Sequence, residues 1–169
     1  MHLRSRLTSA TIVASFVVSV FGAGLPHARA TGNTYFVATD GADLGPNGQA
    51  RPNSLATPWK SMRFAIRRMQ AGDTVYVRGG TYTDWSVGWG AARGTSTAPL
   101  KIMNYQGERV ILKGTMQFVH PDYWTIDGIN VTRDPARGRS EFLVKIVGGR
   151  NWQFLHSEVW GGKIGRAHV

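Results

Sequence analysis

The sequence predicts an all-β chain of stacked coils, and three observations carry that expectation. Short apolar runs at 100–105, 110–114, 123–131, 142–146 and 151–159 alternate with Gly- and Asn-containing turns. Two of these runs superpose: Tyr123-Trp-Thr-Ile-Asp-Gly-Ile-Asn-Val131 lies over Asn151-Trp-Gln-Phe-Leu-His-Ser-Glu-Val159 at an offset of 28 residues. Setting aside a loop inserted between Thr132 and Ser140, the repeat is about twenty residues, within the solenoid range. No helical pattern follows Met69, so the long crossovers of a βαβ sheet are missing.

The ends are set apart first. Residues 1–30 read as a secretory signal peptide. His2, Arg4 and Arg6 make a basic start, Thr11 to Leu25 is uncharged, and Ala28-Arg29-Ala30 is an A-x-A cleavage pattern. Ser15, Ser19, Gly22, Gly24 and Pro26 interrupt the apolar run, which falls short of the roughly 20 residues a membrane span needs. The mature chain is expected to begin at Thr31, to be secreted, and to have no membrane contact after cleavage. Ile164-Gly-Arg-Ala-His-Val169 back-translates as ATC GGA AGA GCA CAC GTC, a string similar to a short-read sequencing adapter. Residues 163–169 are therefore expected to be an artefact, leaving residues 31–162 as one domain of early coils.

The formal charge is +10, but five of the 20 basic residues (Arg4, Arg6, Arg29, Lys163, Arg166) lie outside 31–162. The same 10 acidic residues then leave +5, an excess that steers acidic partners. For an exported chain without a nucleic-acid reader motif, an acidic polysaccharide fits better than nucleic acid. With no cysteine, thiolate metal sites, cysteine nucleophiles and disulfides are excluded.

Along the chain, Tyr35 to Ala38 alternates as a short strand, and 40–54 has the Gly, Pro and Asn content of a loop. Asp40, Asp43 and Asn47 in that loop do not have EF-hand spacing and read as turn chemistry, with no metal assigned. Thr57 and Pro58 suit the start of a helix. Trp59, Met62, Ala65, Ile66 and Met69 then form one apolar face, Lys60, Arg63, Arg67 and Arg68 lie off it, and Gly72 ends it. This helix is expected to cap the first coil, its basic face read as solvated surface. Asp73 to Tyr82 is a half-buried strand with Val75 and Val77 inward. In the following loop, 84–97, Trp85 and Trp89 can stack on sugar rings or cover the first coil. Asn130-Val131-Thr132 has the glycosylation pattern but sits on a strand.

These pieces together resemble the secreted right-handed parallel β-helix proteins of the pectate-lyase-like superfamily. The resemblance rests on Tyr35-Phe-Val, Pro58-Trp-Lys-Ser, Ala71-Gly-Asp-Thr-Val-Tyr-Val-Arg-Gly-Gly-Thr-Tyr82, Pro99-Leu-Lys-Ile and Trp124-Thr-Ile-Asp-Gly-Ile. It implies a right-handed parallel β-helix with an N-terminal capping helix, truncated after the first coils. It also implies a lyase that cleaves uronate glycans by β-elimination, acting as a monomer when full length. In such lyases calcium or a neutralising side chain withdraws charge from the carboxylate, and a Lys or Arg takes the C5 proton. The cofactor of this chain stays open, with calcium the candidate for the full-length protein.

No catalytic set is placed in these residues; it is expected in further C-terminal coils. Asp122 and Asp127 read as turn residues, and His120 and His156 as lone histidines. The expected substrate contacts are Arg133, Arg137 and Arg139, whose guanidinium forks match carboxylates or sulfates, with Trp85 and Trp89. A non-catalytic adhesin or glycan-binding scaffold, and a glycoside hydrolase on the same fold, are the alternative readings.

Overall fold

The computed structural model describes residues 32–83, 91–137 and 142–162. The elements in order are β1 (Thr34–Val37), α1 (Met62–Ile66), β2 (Thr74–Val77), β3 (Gly80–Tyr82), β4 (Leu100–Asn104) and β5 (Val110–Lys113). There follow β6 (Met116–Val119), β7 (Trp124–Asp127), β8 (Ile129–Thr132), β9 (Val144–Val147), β10 (Gln153–Leu155) and β11 (Val159–Trp160).

The strands form three sheets that run up the stack: β1-β2-β4-β7-β10, β3-β5-β8-β11 and β6-β9. Every pairing between these strands is parallel. The chain visits the sheets in turn, so each circuit is one coil of a parallel β-helix, and the expected all-β solenoid is what forms. Thr125 pairs with Gln153, the offset of 28 read from the sequence. Lys101 pairs with Thr125 at an offset of 24 in the first sheet, and Val110 with Ile129 at 19 in the second, close to the expected twenty. Runs expected as single rungs are bent: Asp73 to Tyr82 turns at Arg78-Gly79, and Tyr123 to Val131 turns at Gly128, whose φ is 68°. A Cβ at Gly128 would run into the Asn104 side chain, so this corner requires glycine. One strand, β6, was not anticipated. Its Met116 and Phe118 are fully buried and its partner β9 supplies the third wall.

Alternation fills the interior. Val75, Val77, Leu100, Ile102, Val110, Leu112, Trp124, Ile126, Ile129 and Val131 are each at most 2% exposed. Asn130, between inward Ile129 and Val131, is buried as well: its Nδ2 donates to Val110 O and its Oδ1 accepts from Glu158 N, so it laces three coils together. Its side chain is thus engaged and buried, which explains why the sequon there is structural.

The cap differs from the expected Trp59–Met69 helix. Trp59 behaves as a strand residue, bridging Val37 in parallel, donating to Phe36 O and accepting from Ala38 N. That pairing holds the backbone extended, so helix α1 starts only at Met62, after the extended Ser61, and Thr57 instead closes a turn with Ser54. Asp43 Oδ1 accepts from the Lys60 and Ser61 N–H groups. The apolar face is as expected, with Met62, Ala65, Ile66 and Met69 buried. Asn53 completes the cap by pairing its side-chain amide with Phe36 N and O, so the free edge of β1 is covered.

Asp73, 1% exposed, ties the cap to the first full coil. Its carboxylate accepts from Asn33 N at 2.6 Å and Gln70 N at 2.7 Å. Asp73→Asn turns one acceptor oxygen into a donor facing an N–H, and is expected to cost about 2 kcal/mol of unfolding free energy. Chemical denaturation checks this; an unchanged midpoint contradicts it.

Candidate functional site

The outer face of the first sheet is the most organised exposed surface. Because inward and outward positions alternate, register aligns Phe36, Tyr76, Met103, Asp127 and Leu155 in one outward row across five coils. A second row holds Thr34, Thr74, Lys101, Thr125 and Gln153. At the first coils the row is aromatic. Phe36 and Tyr76 stack with ring centroids 5.9 Å apart, and Tyr105 meets both edge-on.

Arg78 flanks this cluster, its guanidinium 5.3 Å from the Tyr105 ring centre. Its Nε lies 2.9 Å from both oxygens of Glu108, which also accepts from Gly79 N at 2.5 Å. Arg78 first, then the Gly79 N–H, hold the Glu108 carboxyl below its ordinary value of 4.5. Glu108 in turn raises the Arg78 pKa. A depressed carboxyl stabilises the fold above its unfolded pKa, and that contribution is lost as pH falls through the lower folded value. Glu108→Gln is therefore expected to lower Tm at neutral pH and to converge with the parent well below pH 4.5. A gap that stays constant from pH 7 to pH 3 would contradict the linkage.

Further along the row, His156 Nδ1 lies 2.8 Å from Asp127 Oδ1. His156 was expected to stand alone and Asp127 to be a turn residue. The 28-residue superposition sets His156 opposite Gly128, beside Asp127, so the signal was present in the repeat. Asp122, expected to serve its turn, instead ties neighbouring coils: its Oδ1 accepts from Arg150 N and its Oδ2 lies 3.7 Å from Arg93.

Of the expected substrate contacts, Arg133 and Arg137 lie among the described residues. Arg133 is exposed just past β8, in the connection to β9, and so leaves the second sheet rather than the first. Arg137 ends the 3-10 turn Pro135–Arg137. Arg139, Trp85 and Trp89 lie outside the described residues, as do the signal segment 1–30 and the tail 163–169. Among the described residues no group of three or more His, Asp or Glu side chains is assembled that could hold a metal ion. Also among them, no helix is long and apolar enough to cross a membrane. In the 40–54 loop, Asn47 accepts from Gln49 N, a turn contact, while Asp43 reaches across to the cap and accepts from the Lys60 and Ser61 N–H groups and the Ser61 hydroxyl.

A coiled stack whose strands pair in parallel from coil to coil defines a parallel β-helix protein. Residues 35–158 match the family described as Pel9A-like, right handed beta helix region, and the chain belongs to that family. It is 35% identical over 149 residues to a curated protein of Emericella nidulans named Pectate lyase PEL9. The match covers 88% of this chain and 32% of that protein, so the chain spans about a third of its relative's length.

Proposed function

We propose that the chain is the N-terminal part of a secreted polysaccharide lyase that cleaves an acidic uronate glycan by β-elimination. The observation that supports it most is the 35% identity to a protein named as a pectate lyase. In this reading residues 1–30 direct export, 31–162 supply the cap and early coils, and further coils bring the proton-abstracting base and any calcium. The outer face of the first sheet binds the glycan. Phe36, Tyr76 and Tyr105 supply an apolar aromatic surface for pyranoses to lie against, and Lys101 meets carboxylates.

Affinity electrophoresis of the full chain in gels containing polygalacturonate or a neutral galactan tests this. Retardation is expected in polygalacturonate alone, and Tyr76→Ala or Lys101→Gln is expected to weaken it on the order of fivefold, about 1 kcal/mol. Equal retardation in the neutral gel rejects the reading. The full chain is expected to release no unsaturated uronate from pectate, with or without calcium. New reducing ends without unsaturation would favour a hydrolase.

A further inference from the structure

We propose that the N-terminal cap holds a second glycan site, distinct from the outer sheet face, which takes a single uronate sugar with its carboxylate on Lys60. The proposal rests on the acidic-glycan reading above. A pocket of about 230 Å³ opens where the cap meets the first coils, lined by Thr39, Lys60, Ser61, Thr81, Tyr82 and Thr83. That is room for one sugar ring rather than a polymer.

The pocket is built by the fold. Thr81 and Thr83 flank buried Tyr82, so strand alternation places both hydroxyls on the solvent side. Tyr82 Oη donates to Arg78 O at 2.9 Å, which fixes its ring as the pocket floor. Thr39 is brought in by Gly80: a Cβ there would sit 2.7 Å from Thr39 Cγ2, so only glycine leaves room for this wall. The nearby acid, Asp43, is occupied by the N–H groups of Lys60 and Ser61 and by the Ser61 hydroxyl. Among the described residues no carboxylate pairs with the Lys60 ammonium.

The cap carries a positive excess. From Lys60 to Gly72 the chain carries Lys60, Arg63, Arg67 and Arg68 and no acidic residue, and all four cations are exposed. Only Lys60 of these lines the pocket, and the Asp43 carboxylate on the Lys60 N–H offsets part of the cap's charge, so the carboxylate contact rests on the Lys60 ammonium. Three threonine hydroxyls beside one ammonium suit a ligand that is both anionic and hydroxylated, since each hydroxyl can donate or accept. A bare polyanion would use the charge and leave the hydroxyls idle.

Titration of the full chain with galacturonate monomer, followed by calorimetry, tests the proposal. Binding on the order of 1 mM is expected, since few contacts are made. Lys60→Gln should weaken it about tenfold and Thr81→Val about threefold, with Tm unchanged in both. Galactose should not bind. The proposal is overturned if Lys60→Gln binds like the parent, if galactose binds equally, or if heparin displaces the sugar only through Arg63 and Arg67. The polymer-retardation experiment reads the sheet face through Tyr76 and Lys101. Monomer binding without polymer retardation would reject the sheet-face reading alone. Polymer retardation without monomer binding would reject the cap site alone.

Discussion

Trp124→Ala is expected to lower the unfolding free energy by about 4 kcal/mol and Tm by roughly 15 °C. Trp124 is fully buried, packs on Phe118 with ring centroids 5.2 Å apart, and donates from Nε1 to Ala92 O at 2.8 Å. Truncation removes the largest buried side chain of the stack and leaves a void between coils that short strands cannot close. It also leaves the Ala92 carbonyl without this donor, which adds to the cost. Trp124→Phe keeps most of the ring and should cost about half as much. The control is Trp152, the same position one coil on by the 28-residue offset. It is 41% exposed, so Trp152→Ala should cost under about 1 kcal/mol. Denaturant midpoints of the three variants decide the matter. Equal losses at 124 and 152 would mean that the two coils are equally enclosed, contrary to the stacking order described above.

That contrast also shows what was legible in the sequence. The 28-residue offset between β7 and β10, the inward Val75 and Val77, and the apolar cap face were readable because alternation and repeat offset depend only on local residue order. The start of α1 was not. Pro58-Trp59 has helix-start chemistry, but Trp59 completes the edge of β1, a tertiary contact with Phe36 and Ala38 that overrides it. Strand β6 was hidden because Met116-Gln-Phe-Val119 is short and sits beside turn residues; only its β9 partner makes it a wall. The outer aromatic row was missed for the same reason. Phe36, Tyr76 and Tyr105 are far apart in the chain and meet only through the coil register. The cations of the Arg133–Arg139 loop, by contrast, are legible because they are close together in the sequence.

The two ends of the stack predict how the isolated chain behaves. At the first coil the edge of β1 is closed by Asn53 and Trp59, and α1 covers the apolar interior. At the last described coil the pattern is opposite. Val159 occupies the place of fully buried Val131 yet is 48% exposed, Trp152 follows fully buried Trp124 by the 28-residue offset and is 41% exposed, and the outward Leu155 and Trp160 beside them are 37% and 38% exposed. Among the described residues no strand pairs with the outer edges of β9, β10 and β11, whose N–H and C=O groups form a template for another chain. Apolar interior and open backbone edge coincide there, so burial and hydrogen bonding drive association together. The full chain purified alone is expected to sediment as dimers and larger species at micromolar concentration and to unfold over a broad range. Leu155→Lys with Val159→Lys places charge at this end, as natural edge strands do, and should shift the distribution toward monomer. The opposite face serves as control: Arg63→Glu on the cap should leave the distribution unchanged. Sedimentation velocity reads all three proteins. A monodisperse parent monomer with one sharp thermal transition would show that this end is covered, and would overturn both the association and the proposal that further coils stack upon it.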